Sequence, residues 1–180
     1  MEAHLRVMRQ NVFFQIVARS KSRKVITNLL KKEKLSNGIT GIAGEYFVAA
    51  ELSMRGFMAS ITLRNNDSID IHASKLEDNN KMFAIQVKST QNDIRKWVLN
   101  KKVENVHSNN MFYVFVCLKG LEERPDYFIV PSKSLATLVK KSHQKWLDTP
   151  GKKGQSHNDT DMRKFEDLDG EFLERWDLLK

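Results

Sequence analysis

The 180-residue chain is 41% apolar and 29% charged, the balance of one soluble globular domain long enough to bury a core. No run reaches the ~18 to 20 apolar residues a membrane helix needs; the best N-terminal stretch, Val12 to Ala18, is broken by Gln15, so a cytoplasmic chain is expected. The net charge of +8 favours a polyanionic partner, and a single cysteine, Cys117 inside FYVFVCL, excludes an internal disulfide and reads as a buried thiol.

Residues 1–38 are expected to form a basic, helical extension. Residues 1–40 hold nine Lys/Arg against Glu2 and Glu33, whereas the last thirty hold six against eight. The basic excess centres on ARSKSRKVITNLLKKEK, Ala18 to Lys34. Arg19, Lys21, Arg23 and Lys24 there read either as phosphate contacts or as the solvated face of a helix beside Val25, Ile26, Leu29 and Leu30.

A compact core is expected over residues 39–147. SNGIT opens it, with Thr40 as N-cap, and a helix over Gly41 to Arg55 is ended by Gly56. A strand follows at Met58 to Arg64, with a turn at Asn65 to Asp67. SIDIHA and MFAIQVKS then alternate cleanly. Ile69, Ile71 and Ala73 oppose Ser68, Asp70 and His72, while Phe83, Ile85 and Val87 oppose Ala84, Gln86 and Lys88. Their polar linker, SKLEDNNK, suits a hairpin. Trp97 to Leu99 reads as a short strand and Lys101 to Val106 as a helical turn. Phe112 to Leu118 is continuously apolar, as for a strand covered on both faces, and Asp126 to Val130 is a second core strand. Pro131 and Ser132 introduce a helix carrying Leu135, Leu138 and Val139 and reaching Trp146. Residues 148–180 are expected to be an exposed loop, Asp148 to Lys164, followed by a helix with Phe172, Trp176 and Leu179 on one face. Helices on a mixed sheet make an α/β/α sandwich.

Within this frame, four polar residues fall where apolar ones are expected. Glu45 lies three, four and seven residues before Val48, Ala49 and Leu52, on the helical face that meets the sheet, a costly place for an unpaired charge. Asp70 is expected mid-strand, on the face opposite Ile69 and Ile71, and Gln86 and Lys88 on the matching face of the next strand. Singly each is ordinary: a solvated helical acid, a turn aspartate, a snorkelling lysine. Together they collect two carboxylates, a carboxamide oxygen and an ammonium, a set suited to a hard cation such as Mg²⁺ and to charge on phosphate.

The order of these residues resembles the PD-(D/E)XK nuclease superfamily: a helix with GE, a strand with IDI, then IQVK. The Gln variant is similar to the Mrr-type endonucleases. The resemblance covers roughly residues 40 to 130 and departs from the usual motif at two positions, Ile69 in place of proline and Gln86 in place of Glu. It implies a restriction-endonuclease-like fold and a metal-dependent endonuclease hydrolysing DNA phosphodiesters. Glu45, Asp70, Gln86 and the backbone carbonyl of Val87 would hold Mg²⁺, which Mn²⁺ would replace, and Lys88 would activate or orient water. The alternative is a catalytically inactive nucleic-acid-binding or protein-interaction module of the same fold. With Gln86 in place of a carboxylate, one strongly held metal is inferred rather than two, the two-metal site being the alternative, and cutting both strands of a duplex would suit a homodimer.

Further candidates are weaker. His72 shares the face of Asp70, and His72 and Lys75 are candidate nucleic-acid contacts, as are Arg64 and Arg95; Trp97 reads as packing rather than as a base platform. The spacing of His107, His143 and His157 is not that of a zinc site, and there is no glycine loop for phosphate.

Overall fold

The computed structural model describes residues 34–63, 69–77, 81–91, 94–106 and 108–180, with Ser36–Lys180 as one compact unit. Arg19, Lys21, Arg23 and Lys24, the Asn65 to Asp67 turn, Arg64, Ser68 and His107 lie outside the described residues. The elements run in the order α1 (Asn37–Met54), β1 (Phe57–Ile61), β2 (Ile71–Lys75), β3 (Met82–Gln91), β4 (Lys96–Asn100), a 3-10 turn (Lys101–Asn105), β5 (Met111–Leu118), β6 (Asp126–Pro131), α2 (Ser132–Asp148) and β7 (Met162–Glu166). A last 3-10 turn covers Trp176–Leu178.

Five strands form a mixed sheet in the order β1-β2-β3-β5-β6. The β2–β3 pair is antiparallel, β3 runs parallel to β5, and β6 returns antiparallel. All eight residues of β5 are buried, because the sheet is covered on both faces. Phe112, Val114, Val116 and Leu118 join Ile71, Ile85 and Val87 beneath Val48 and Leu52 of α1. Met111, Tyr113, Phe115 and Cys117 point the other way, to Leu135 and Val139 of α2 and to Trp97 and Phe165. Period-2 alternation thus divides one apolar run between two cores, and each fully buried Val or Leu contributes about 1.5–3 kcal/mol. The fold is α/β, with a helix on either face of a central mixed sheet.

Several sequence expectations shift. The N-cap of α1 is Ser36, whose hydroxyl accepts from the Ile39 N–H at 3.3 Å. Thr40 lies inside the first turn, donating to the Ser36 carbonyl at 2.9 Å and accepting from Gln91 Nε2 at 2.8 Å. The helix therefore starts before the expected boundary at residue 39. Strand β1 runs from Phe57 to Ile61 rather than from Met58 to Arg64, and Leu138 is 37% exposed.

The largest corrections fall after residue 148. Within the stretch expected to be an exposed loop, Met162–Glu166 pairs antiparallel with β4 as a separate two-stranded sheet. Its Arg163 and Phe165 are buried. Arg163 satisfies its guanidinium on Glu104 and on the carbonyls of Thr160 and Met162, and that charge at a buried position disguises the alternation. The C-terminal helix expected to follow is absent. Gly170 and Glu174 take positive φ, Asp167 accepts from the N–H groups of Glu171 and Phe172 at 2.9 Å each, and the chain instead runs along β6. There Ile129 N donates to Phe172 O at 3.0 Å and Glu174 N to Tyr127 O at 2.8 Å, which satisfies an otherwise open sheet edge. Phe172 consequently enters the core under α2, whereas Trp176 and Leu179 enter the one under α1.

Candidate functional site

The β2–β3 register is what assembles the polar residues. Ile71 pairs with Ile85 and His72 with Ala84, so Asp70, one residue outside the strand, stands opposite Gln86. It is held there from both sides. The Asp70 N–H donates to the Ile85 carbonyl at 2.9 Å, and Asp70 Oδ2 accepts from the Val87 N–H at 2.7 Å. The two peptide units flanking Gln86 are thus both bonded to Asp70, whose carboxylate does the work of a strand carbonyl where β2 parts from β3. Asp70's own carbonyl accepts from Thr62 N at 2.9 Å, and Thr62 Oγ1 donates to the Ile69 carbonyl at 2.7 Å, so this bend is braced to the end of β1.

Gln86 and Lys88 are half-buried and alternate with buried Ile85 and Val87, placing both on the face opposite α1. Among the described residues, Asp70 Oδ1, the Gln86 carboxamide and the Lys88 ammonium have no hydrogen-bond or ion-pair partner. Three half-buried polar groups left open on one strand pair form a site that a ligand or water would complete.

Glu45 approaches β3 from the other layer. It follows Gly44, where a Cβ would overlap the Ser89 hydroxyl and sit 2.9 Å from Ser89 Cβ and 3.5 Å from Val87 Cγ1. Only glycine lets α1 come this close to β3, and Glu45 is the half-buried residue beside that contact. Glu45 engages a partner of its own, and no bond ties it to Asp70, Gln86 or Lys88 among the contacts described. Among the described residues, no group of three or more His, Cys, Asp or Glu could hold a metal ion. Asp70 is the carboxylate on the Gln86 and Lys88 face, and Glu45 would have to reach a shared cation from α1 across β3, so a cation here would rest on one or two carboxylates, supplemented by Gln86 and the Val87 carbonyl. That set suits Mg²⁺, which binds through one or two carboxylates and keeps several waters.

The remaining candidates scatter. His72 is half-buried on β2 on the Asp70 side, whereas Lys75 falls on the opposite face, its Nζ 5.9 Å from the Phe57 ring centroid. Arg95 lies over Phe128, 5.5 Å from its centroid, and 3.9 Å from Asp126. Trp97 is buried against Phe115, Phe128 and Phe165, and Cys117 is wholly buried. His143 bonds Asp159 at 2.8 Å, and His157 stacks on Trp146 with centroids 4.0 Å apart.

No protein-family model matches the chain. No curated protein matches it either. Solved structures similar to it include the following two. Hjc, a Holliday junction resolvase from the archaeal hyperthermophile Archaeoglobus fulgidus, is 14% identical over 70% of this chain and 83% of that one, with a TM-score of 0.39. The bacterial homing endonuclease I-Ssp6803I is 16% identical over 81% of this chain and 92% of that one, with a TM-score of 0.46. At these identities and scores neither likeness transfers a residue role or an activity to this chain. Among the described residues, no helix is long and apolar enough to cross a membrane.

Sequence reasoning missed a second charged cluster. Glu51 is 5% exposed on α1 and bonds Arg55 and, at 2.8 Å, Arg124 Nε. Arg124 also holds Glu174 at 2.9 and 3.1 Å, and Trp176 Nε1 donates to Glu174 at 2.9 Å. The Arg124 hydrogen bond, with Arg55 assisting, keeps the Glu51 carboxyl below its ordinary range despite burial. Burial pushes the Tyr127 hydroxyl well above its ordinary range, and the Glu51 charge adds to it. This cluster fastens the C-terminal segment to α1 and uses its charges internally. Its one signal in the sequence is the Glu51–Arg55 spacing of a helical ion pair.

Proposed function

We propose that the protein is a metal-dependent nuclease of the QxK type that hydrolyses DNA phosphodiesters. The observation that carries this reading is the Asp70 carboxylate clamped across Gln86, with Lys88 two residues on along β3. The open Asp70 oxygen, the Gln86 carboxamide, the Val87 carbonyl and Glu45 are the groups that would hold Mg²⁺ or Mn²⁺. A bound divalent ion would supply Lewis-acid polarisation of the phosphate and lower the pKa of an attacking water. Lys88, which follows buried Val87 on β3 and pairs with buried Phe115 of β5, presents its ammonium to the same face. Its task is to orient the water or to offset charge gathering on the phosphate oxygens in the transition state. Asp70 cannot swing away from this position without giving up its bond to the Val87 N–H. Gln86 replaces a carboxylate with a neutral amide, which lowers the negative charge available to a second cation and favours one ion. A homodimer would supply the two cuts a duplex needs.

Incubation of purified protein with plasmid, linear, branched and single-stranded DNA in Mg²⁺ or Mn²⁺ tests the reading. Cleavage is expected with metal and not with chelator, falling by about 10²- to 10³-fold in Lys88→Ala, the cost of losing one preorganised charge-stabilising group. Undiminished cleavage by Lys88→Ala would overturn the mechanism. Metal-independent DNA binding without cleavage of any of these substrates would favour an inactive module of this fold.

A further inference from the structure

Helix α2 presents a surface that the proposed site does not use. Leu135, Ala136 and Val139 are buried in the core, while Lys133, Thr137, Lys140, Lys141, Gln144 and Lys145 are exposed. These six recur at spacings of three and four residues, so they line one stripe on the outer face of the helix. The four lysines make no ion pair among the described residues. The two acids that line the groove beside the stripe each have a partner. Asp148, at its C-terminal end, accepts from Gln144 Nε2 at 2.9 Å. Glu104, which lines the shallow groove beside it, is held by Arg163. Four lysines with no ion pair among the described residues therefore run along about 18 Å of helix, from 1.5 Å of rise per residue, with the Asp148 charge, bonded to a neutral amide, at the C-terminal end. A DNA duplex carries about ten phosphates over that length.

We infer that the outer face of α2 is a binding surface for the phosphate backbone of duplex DNA, contacted by Lys133, Lys140, Lys141 and Lys145. The chemistry selects this partner. Lysine is a mobile point charge on a long stem, suited to following a regular row of phosphates without reading base edges. An anionic membrane would call for apolar residues to insert, and the exposed apolar residues of α2, Leu138 and Trp146, line a different cavity beside β7. A protein partner would call for an apolar or aromatic anchor at the centre of the patch, where this stripe offers Thr137 and Gln144. That the polyanion is DNA rests on the proposed nuclease reading; the charged surface itself does not.

The test is duplex binding by the full-length protein in chelator, followed by fluorescence anisotropy between about 50 and 200 mM salt. Converting all four lysines to glutamine should weaken binding at least about tenfold and flatten the log–log salt slope by about 3 to 4, close to 0.9 for each phosphate no longer neutralised. K140E/K141E alone should weaken binding and flatten the slope in the same direction, and it decides the matter if the fourfold variant does not fold. Asp70→Asn should lose cleavage and keep binding, so failure of the catalytic reading and failure of this surface are separable. The inference is overturned if the folded lysine variants keep wild-type affinity and slope, if the wild-type protein does not bind duplex, or if an acidic polypeptide occupies the stripe more tightly than the duplex.

Discussion

Replacing Gly44 with alanine tests how α1 positions Glu45 against β3. The added Cβ would meet the Ser89 hydroxyl and lie 2.9 Å from Ser89 Cβ, some 0.5–1 Å inside ordinary carbon contact at about 3.5–4.0 Å. The side chain it meets is short and rooted in a central strand, so relief must come from moving the helix. Overpacking of this kind costs about 1–3 kcal/mol. Alanine in a helix interior returns about 1 kcal/mol relative to glycine, leaving a net loss of about 0–2 kcal/mol. A double-mutant cycle with Ser89→Gly separates the two effects. Ser89→Gly deletes both overlapping atoms and leaves Val87 Cγ1 at 3.5 Å, an ordinary contact. In that background Gly44→Ala should stabilise by about 1 kcal/mol, a coupling of about 1–3 kcal/mol read from urea midpoints at constant m. Cleavage, if α1 sets the place of Glu45, should fall in the single variant and recover in the double. Equal effects of Gly44→Ala in both backgrounds, within about 0.5 kcal/mol, would refute the close-approach reasoning.

Asp70 has a structural task separable from its proposed chemistry: Asp70→Asn keeps an oxygen for the Val87 N–H and should hold stability within about 1 kcal/mol, whereas Asp70→Ala should cost about 1.5–3 kcal/mol in urea unfolding, both being inactive in cleavage. Glu51 should make stability depend on acid. Its folded pKa is lowered by Arg124 and Arg55, so its stabilisation is present above the unfolded value of about 4.5 and fades as pH falls through the lower folded value. Glu51→Gln should cost about 1.5–3 kcal/mol at pH 7, with the gap to wild type closing below about pH 4.5, as measured by urea unfolding across pH.

The elements written in local pattern were legible without coordinates. SIDIHA and MFAIQVKS predicted the β2–β3 hairpin, and the uniform apolarity of FYVFVCL predicted a strand covered on both sides. Proximity in sequence made the shared face of Asp70, Gln86 and Lys88 readable too, since a hairpin leaves few registers that keep Ile71 and Ile85 inside, while the register that sets Asp70 opposite Gln86 came from the structure. Where the local signal and the tertiary demand disagree, the tertiary demand wins. FEDLDGEFLERWDLL has helical spacing, yet the open edge of β6 and the buried charge of Glu51 together hold its C-terminal part in turns against the sheet rather than in a helix.

By itself, then, the sequence determined the α/β class, the central strands and the candidate residues on β2 and β3, because side-chain periodicity within a strand or helix is a local property. Only the tertiary structure decided that Gly44 lets α1 touch Ser89, that Arg163 hides a strand, that Glu51 meets Arg124, and that the lysines of α2 have no ion pair among the described residues. Each of these depends on groups far apart along the chain. Their meeting is fixed by which faces must be covered and which buried charges must be neutralised, and neither requirement is written in any one segment.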